Sequence, residues 1–153
     1  MMTIPVNQVN FAIARIATLQ FATFEEELPK DNDVQLSTIL NFGLGANERA
    51  IRIKGTFQFE AHGNVFIKLE VYCEFAIEQQ AWQSFIQDDT QFIIFPKGLM
   101  THLATLLVGT SRGILHCKTE NSVYNRFILS TINVAEMVTD DIQMDLLLPT
   151  VQQ

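Results

Sequence analysis

The 153-residue sequence is sparing with the residues that usually fix a function class. It holds two cysteines, four prolines and a single tryptophan. Cys73 and Cys117 lack CxxC spacing, so no redox motif or disulfide framework is expected, and a reducing compartment fits them best. Cations are scarce, with 10 Lys and Arg against 17 Asp and Glu and a net charge of −7. That balance excludes a broad phosphate-binding surface and, with it, a nucleic-acid partner. No apolar run approaches the roughly 18 residues of a membrane span. Residues 1–8 lack the basic and apolar regions of a signal peptide. A soluble, cytoplasmic protein without membrane insertion is therefore expected.

Catalytic patterns are missing as well. His62, His102 and His116 stand apart, without clustered acids or i, i+4 spacing, so neither a metal nor a cofactor is expected. His116 and Cys117 read as neighbours on a strand, where side chains point to opposite faces and cannot form a nucleophile–base pair. Nucleophile-elbow, dinucleotide and Walker motifs are all lacking, and the chain does not read as an enzyme.

What the sequence does hold is a long helical pattern over residues 95–113, with Pro96 at the first helical position and Gly113 just past the end. Leu99, Met100, Leu103, Ala104, Leu106 and Leu107 form a broad apolar arc. The opposite arc carries Gly98, Thr101, Thr105 and Gly109, bordered by His102, with no acidic residue. A solvated helix face normally carries charge. This one predicts cover on both sides, by the chain's own sheet and by a second subunit across the small-residue strip.

Strand patterns precede the helix. Residues 11–21 alternate, with Phe11, Ile13, Leu19 and Phe21 on odd positions, and read as a strand, although their alanines also allow a helix; the charged residues 25–33 read as a loop. Val34, Leu36, Thr38, Leu40, Phe42 and Leu44 share one face of a second strand. Ile51, Ile53, Phe57 and Phe59 do so in a third. Val65, Ile67, Leu69, Val71, Cys73, Phe75 and Ile77 do so in a fourth, whose other face shows Phe66 and Tyr72 among Lys68, Glu70 and Glu74. Short turns with Gly and Asn between them predict antiparallel hairpins.

Between the sheet and the helix lies a glutamine-rich connection with Trp82, Phe85 and Ile86. These three residues either pack a short amphipathic turn on the sheet or line a groove for an apolar ligand or chain. Together with Phe66 and Tyr72 they are the candidate client-binding residues, because exposed aromatic groups on a soluble protein mark binding surfaces. After Gly113, residues 114–119 and 123–129 read as an extra hairpin or an extended flap. Asn133 with Glu136 opens a short second helix through Val134, Met137 and Val138. No repeat or linker divides the chain, and residues 1–153 are expected to form one domain.

The order of these elements, with Ile94-Phe95-Pro96 at the helix start, Arg112-Gly113 near its end and the words of residues 129–137, resembles the SecB protein-export chaperone family. Phe11 with Arg15-Ile16 is similar to the family's opening strand. The resemblance implies an α+β fold in which a four-stranded antiparallel sheet is covered by a long helix and a short C-terminal helix. It implies dimers and homotetramers assembled across the long helices, and a holdase that keeps unfolded polypeptide clients extended without nucleotide. Export and service to a toxin–antitoxin pair are the two roles this implies. Docking to SecA in the family uses acidic side chains on the outer sheet face, whereas residues 10–24 contain no Asp or Glu. The competing readings are a small-molecule-binding hotdog-like domain and an oligomeric adaptor.

Overall fold

The computed structural model describes residues 9–87 and 91–146. The sequence readings at residues 1–8, at 88–90 of the connection and at the tail 147–149 lie outside the described residues. Four strands form one antiparallel sheet: β1 (Phe11–Thr23), β2 (Gln35–Leu44), β3 (Ala50–Ala61) and β4 (Asn64–Ile77). Their spatial order is β1-β4-β3-β2, so the chain crosses from one sheet edge to the other between β1 and β2. A short helix α1 (Gln79–Phe85) and a strand β5 (Phe92–Phe95) lead into the long helix α2 (Lys97–Thr119). After a 3-10 turn at Val123–Arg126 come α3 (Val134–Met137) and β6 (Ile142–Asp145), which pairs with β5. The α+β architecture is the one expected.

The core forms where α2 lies on β3 and β4. Leu99, Met100, Leu103, Ala104 and Leu107 are buried against Ile51, Ile53, Phe57, Leu69, Val71 and Phe75. Gly55, in the middle of β3, makes the close approach possible. A Cβ there would sit 2.8 Å from the Phe57 ring and 3.2 Å from Leu107. The start of α2 is fixed from the far end of the chain. Asp141 Oδ1 accepts a hydrogen bond from the Lys97 N–H at 2.9 Å, satisfying one of the helix's free N-terminal donors.

The helix does not stop at Gly113 as expected, but runs to Thr119. Gly113 faces open space, and the buried row Ser111, Leu115, Thr119 continues at i, i+4 past it. A sustained core-facing row outweighs one helical glycine, which costs only about 1 kcal/mol. The expected hairpin over residues 114–129 is therefore absent, and His116 and Cys117 lie on the helix, not on a strand. Beyond the 3-10 turn, residues 127–133 run without regular structure alongside α2. Arg112 holds them, donating to the carbonyls of Leu129 at 2.6 Å and Ser130 at 3.0 Å.

Two bulges in β1, between Ile13 and Arg15 and between Thr18 and Gln20, break the simple odd-position alternation. Ile16 instead of Arg15 then pairs with Cys73 and takes the helix side of the sheet. A third irregularity, between Phe59 and Glu60, places Val65 opposite Glu60 and leaves Phe66 as the extra residue. The expected faces of Val65 and Phe66 are thereby exchanged. Bulges re-aim side chains in this way, and sequence alternation alone cannot locate them.

Gly55→Ala should destabilise the fold by about 1–3 kcal/mol, because the added methyl overpacks a buried ring that has nowhere to move. Urea unfolding followed by circular dichroism measures it, and Gly113→Ala, facing open space on α2, should not lower stability.

Candidate functional site

The aromatic residues singled out in the sequence fall into three separate clusters, and none is exposed. Trp82 and Phe85, on one face of α1, pack on Phe95 with ring centroids 5.5 and 5.7 Å apart. They form the packed amphipathic turn, not the groove wall. Ile86, half-buried, bridges to Ile93. Tyr72 lies on the outer sheet face, yet it is buried because the Arg52 guanidinium stacks on its ring at 4.0 Å and Arg15 stands 5.6 Å away.

Phe66 is the informative member. Its bulged position turns it to the helix side, where it is fully buried between Phe59, at 6.3 Å, and Phe127, at 4.7 Å. Two segments meet over it. The Phe24 N–H donates to the Phe66 carbonyl at 2.9 Å, anchoring the crossover segment that follows β1. Phe127, from the segment after α2, covers the ring itself. Arg126 ties these segments to each other, donating to the Pro29 carbonyl at 3.0 Å. The result is a seam floored by Phe59, Phe66 and Phe127.

Exposed apolar side chains lie in both of these segments. Phe24 is 46% exposed, Val123 60% and Ile128 63%. Beside Phe24 opens a hollow of about 370 Å³ lined by Thr23, Phe24, Glu25 and Glu26. Glu25–Glu27 form a 3-10 turn, and the carboxylates of Glu25 and Glu26 stand at the lip of this hollow. Sequence reasoning missed this site because Phe24 borders a charged connection without periodicity and Ile128 lies in a stretch whose pattern reads as a hairpin. The signal available was the run Phe24-Glu25-Glu26-Glu27 itself, an aromatic against a block of acid in a connection.

A second apolar surface lies along β1. Ile13, Ile16 and Leu19 are each about half exposed. Ile13 and Ile16 pair with Phe75 and Cys73, residues of the helix-facing side of β4. They therefore stand on the same side of the sheet as α2. On that helix Gly98, Thr105 and Gly109 are exposed and Thr101 is half-buried, forming the uncharged strip expected there. Phe11 and His102 join the two elements, ring to ring at 5.7 Å. Strand edge and helix strip are thus one continuous, nearly uncharged surface.

The reactive groups are not assembled for chemistry. Burial pushes the Cys73 thiol up to about 11, opposed only by a hydrogen bond with Thr110. Cys117 is exposed, and neither cysteine is in a disulfide. His62 contacts Asp31 at 3.2 Å and His116 contacts Glu120 at 3.7 Å, both on the surface. Among the described residues no three His, Cys, Asp or Glu are grouped to hold a metal, and no helix is long and apolar enough to cross a membrane.

No protein-family model matches the chain, and no curated protein sequence matches it. Among solved structures it is similar to a Mycobacterium tuberculosis SecB-like chaperone in complex with a ChAD peptide from the HigA1 antitoxin. The TM-score is 0.50 at 10% identity, covering 80% of this chain and 90% of that one. At that identity the likeness speaks for the fold, which is SecB-like.

Cys73 and Cys117 should differ sharply toward a thiol reagent at mildly alkaline pH. Cys117 should react at once, while Cys117→Ser should leave the folded protein unreactive until denaturant is added. The raised thiol of Cys73 also makes stability fall as pH rises from its ordinary 9.0 toward about 11, since the unfolded thiol ionises first.

Proposed function

We propose that this protein is an ATP-independent holdase that binds unfolded, extended polypeptides in the seam over Phe66. The observation that carries the reading is the seam's combination of aromatic floor, exposed apolar rim and acidic lip. Apolar residues of a client settle against Phe24, Phe127 and Ile128. Basic residues of the client are drawn by Glu25, Glu26 and Glu27, an attraction that salt weakens. Exposed groups of this size are costly to keep on a soluble protein unless something binds them. The SecB-like fold, shared with a chaperone seen holding a peptide, supports the same reading. Trp82, Phe85 and Ile86 then serve as structural support for the start of α2, Phe66 acts from beneath the seam, and Tyr72 stands on the other sheet face with no part in it.

The uncharged surface of β1 and α2 is covered by a second copy of the chain. Its extent along both a strand edge and a helix argues for dimers through Gly98, Thr101, Thr105 and Gly109, paired further into a tetramer. An edge strand with only Arg15 to guard it is otherwise an aggregation hazard. The cytoplasm, as a reducing compartment, suits the two free cysteines. The client's place in the cell, export or a toxin–antitoxin pair, follows from the same binding activity. Docking by SecA through acidic side chains is disfavoured where β1 carries none.

Aggregation of an unrelated unfolded protein should be suppressed without ATP, and Phe24→Ser with Ile128→Ser should weaken that several-fold while leaving the circular dichroism unchanged. Ile39→Ser, on the opposite sheet face, is the matched control and should change nothing. Equal loss in both variants, or no suppression by the unmutated protein, overturns the reading. For assembly, Thr105→Glu buries an unpaired carboxylate at the contact and should split the oligomer into smaller units by light scattering. A monomeric unmutated protein at micromolar concentration contradicts it.

A further inference from the structure

The seam already holds a cation of its own. Arg126 ends the 3-10 turn after α2 and is exposed, yet its guanidinium makes two contacts at the seam. Its Nη2 donates to the Pro29 carbonyl at 3.0 Å, and its Cζ lies 4.5 Å from the centre of the Phe127 ring. Pro29 is buried, and among the described residues its carbonyl has no other donor. Arg126 itself has no carboxylate partner among them. A carbonyl oxygen and an aromatic face are groups that a guanidinium or ammonium recognises, and here both are turned to one cation.

The surroundings carry more negative charge than Arg126 offsets. Residues 25–33 hold five acids and one lysine. Glu26 and Glu27 line the same hollow of about 340 Å³ as Pro29 and Lys30, between the crossover segment and the β3–β4 turn at His62. Asp31 of that hollow is taken by His62 at 3.2 Å. Glu25, Glu26 and Glu27 are in no ion pair among the described residues. The Arg126 side chain is also free to leave. It is exposed, so it swings into water without opening the core, while Phe127 stays packed on Phe66 and Phe59 at 4.7 and 6.2 Å.

We propose that the Pro29 carbonyl and the Phe127 ring form a subsite for one basic side chain of the client, which Arg126 fills as an internal stand-in until a client displaces it. The inference rests on the holdase reading of the seam and adds the chemistry of one client position. A client arginine reproduces both contacts with its own guanidinium, and a lysine does so as a point charge. Glutamine offers an amide donor to the carbonyl but no charge to the ring or to the neighbouring acids. Displacement exchanges one cation for another: Arg126 enters water as the client's cation leaves it. Arg126 therefore lowers the affinity for basic clients by the fraction of time it fills the subsite. Clients that leave the subsite unused bind beside Arg126 unhindered.

Fluorescence anisotropy on the full chain, with two labelled peptides of leucine and serine that differ in one central arginine or glutamine, tests the proposal. Arg126→Met keeps the apolar stem beside Phe127 and removes the resident cation. It should bind the arginine peptide about tenfold tighter than the unmutated protein does, with affinity for the glutamine peptide unchanged. Arg126→Gln, a second variant without the charge, should gain in the same direction, and Arg126→Lys should bind like the unmutated protein. Circular dichroism checks that all three are folded. Equal tightening for both peptides, or no tightening for the arginine peptide, overturns the subsite and leaves the holdase reading standing, because both peptides still bind. Binding of neither peptide by any of these proteins overturns the holdase reading and the subsite with it.

Discussion

The structure depends on how closely α2 can lie on the two middle strands. Gly55 removes the one side chain that would hold the helix off, and Phe57 and Leu107 fill the space. The consequence is geometric. A helix about 10 Å across covers roughly two strands spaced about 4.8 Å apart, and this sheet has four. The middle strands β3 and β4 take the cover, so the inner faces of the outer strands β1 and β2 cannot be fully closed by the same helix. Leu36, Leu40 and Phe42 of β2 stay half-buried, and Ile13 and Ile16 of β1 reach solvent. Apolar surface is left over because one helix is too narrow for the sheet it covers.

That surplus is handled differently at different places. Along β1 it merges with the uncharged strip of α2 into a surface suited to a copy of the chain itself. At the end of β1, where the chain leaves for the far edge, it gathers into the seam over Phe66, rimmed by Phe24 and Ile128 and edged with acid. The outer sheet face, by contrast, has almost no apolar surplus apart from Ile39, and it carries interleaved cations and carboxylates around Tyr72.

Much of the fold could be read from the residues. Period-two alternation placed β2, β3 and β4 nearly to the residue, and the Pro-started apolar arc placed α2. The failures share one cause. Bulges in β1 and at Phe66, and continuation of the helix past Gly113, are decided by contacts distant in sequence, which local periodicity does not contain. The candidate site suffered most from this. Tyr72 was legible as an outer-face residue, but its burial beneath two arginines follows from cross-strand pairing. Trp82 and Phe85 have the composition of a binding surface and turn out to support the entry to α2. Phe24 and Ile128 sit in irregular segments, and only the fold brings those two segments together at Phe66.

The central claim is that unfolded polypeptides bind at the seam between the crossover segment and the segment after α2. Hydrogen exchange of the backbone amides, with and without an unfolded client, tests it most directly. The account predicts added protection at residues 24–29 and 123–129, with the connection at 79–87 unchanged. Protection confined to that connection, or none anywhere in the chain, would contradict it.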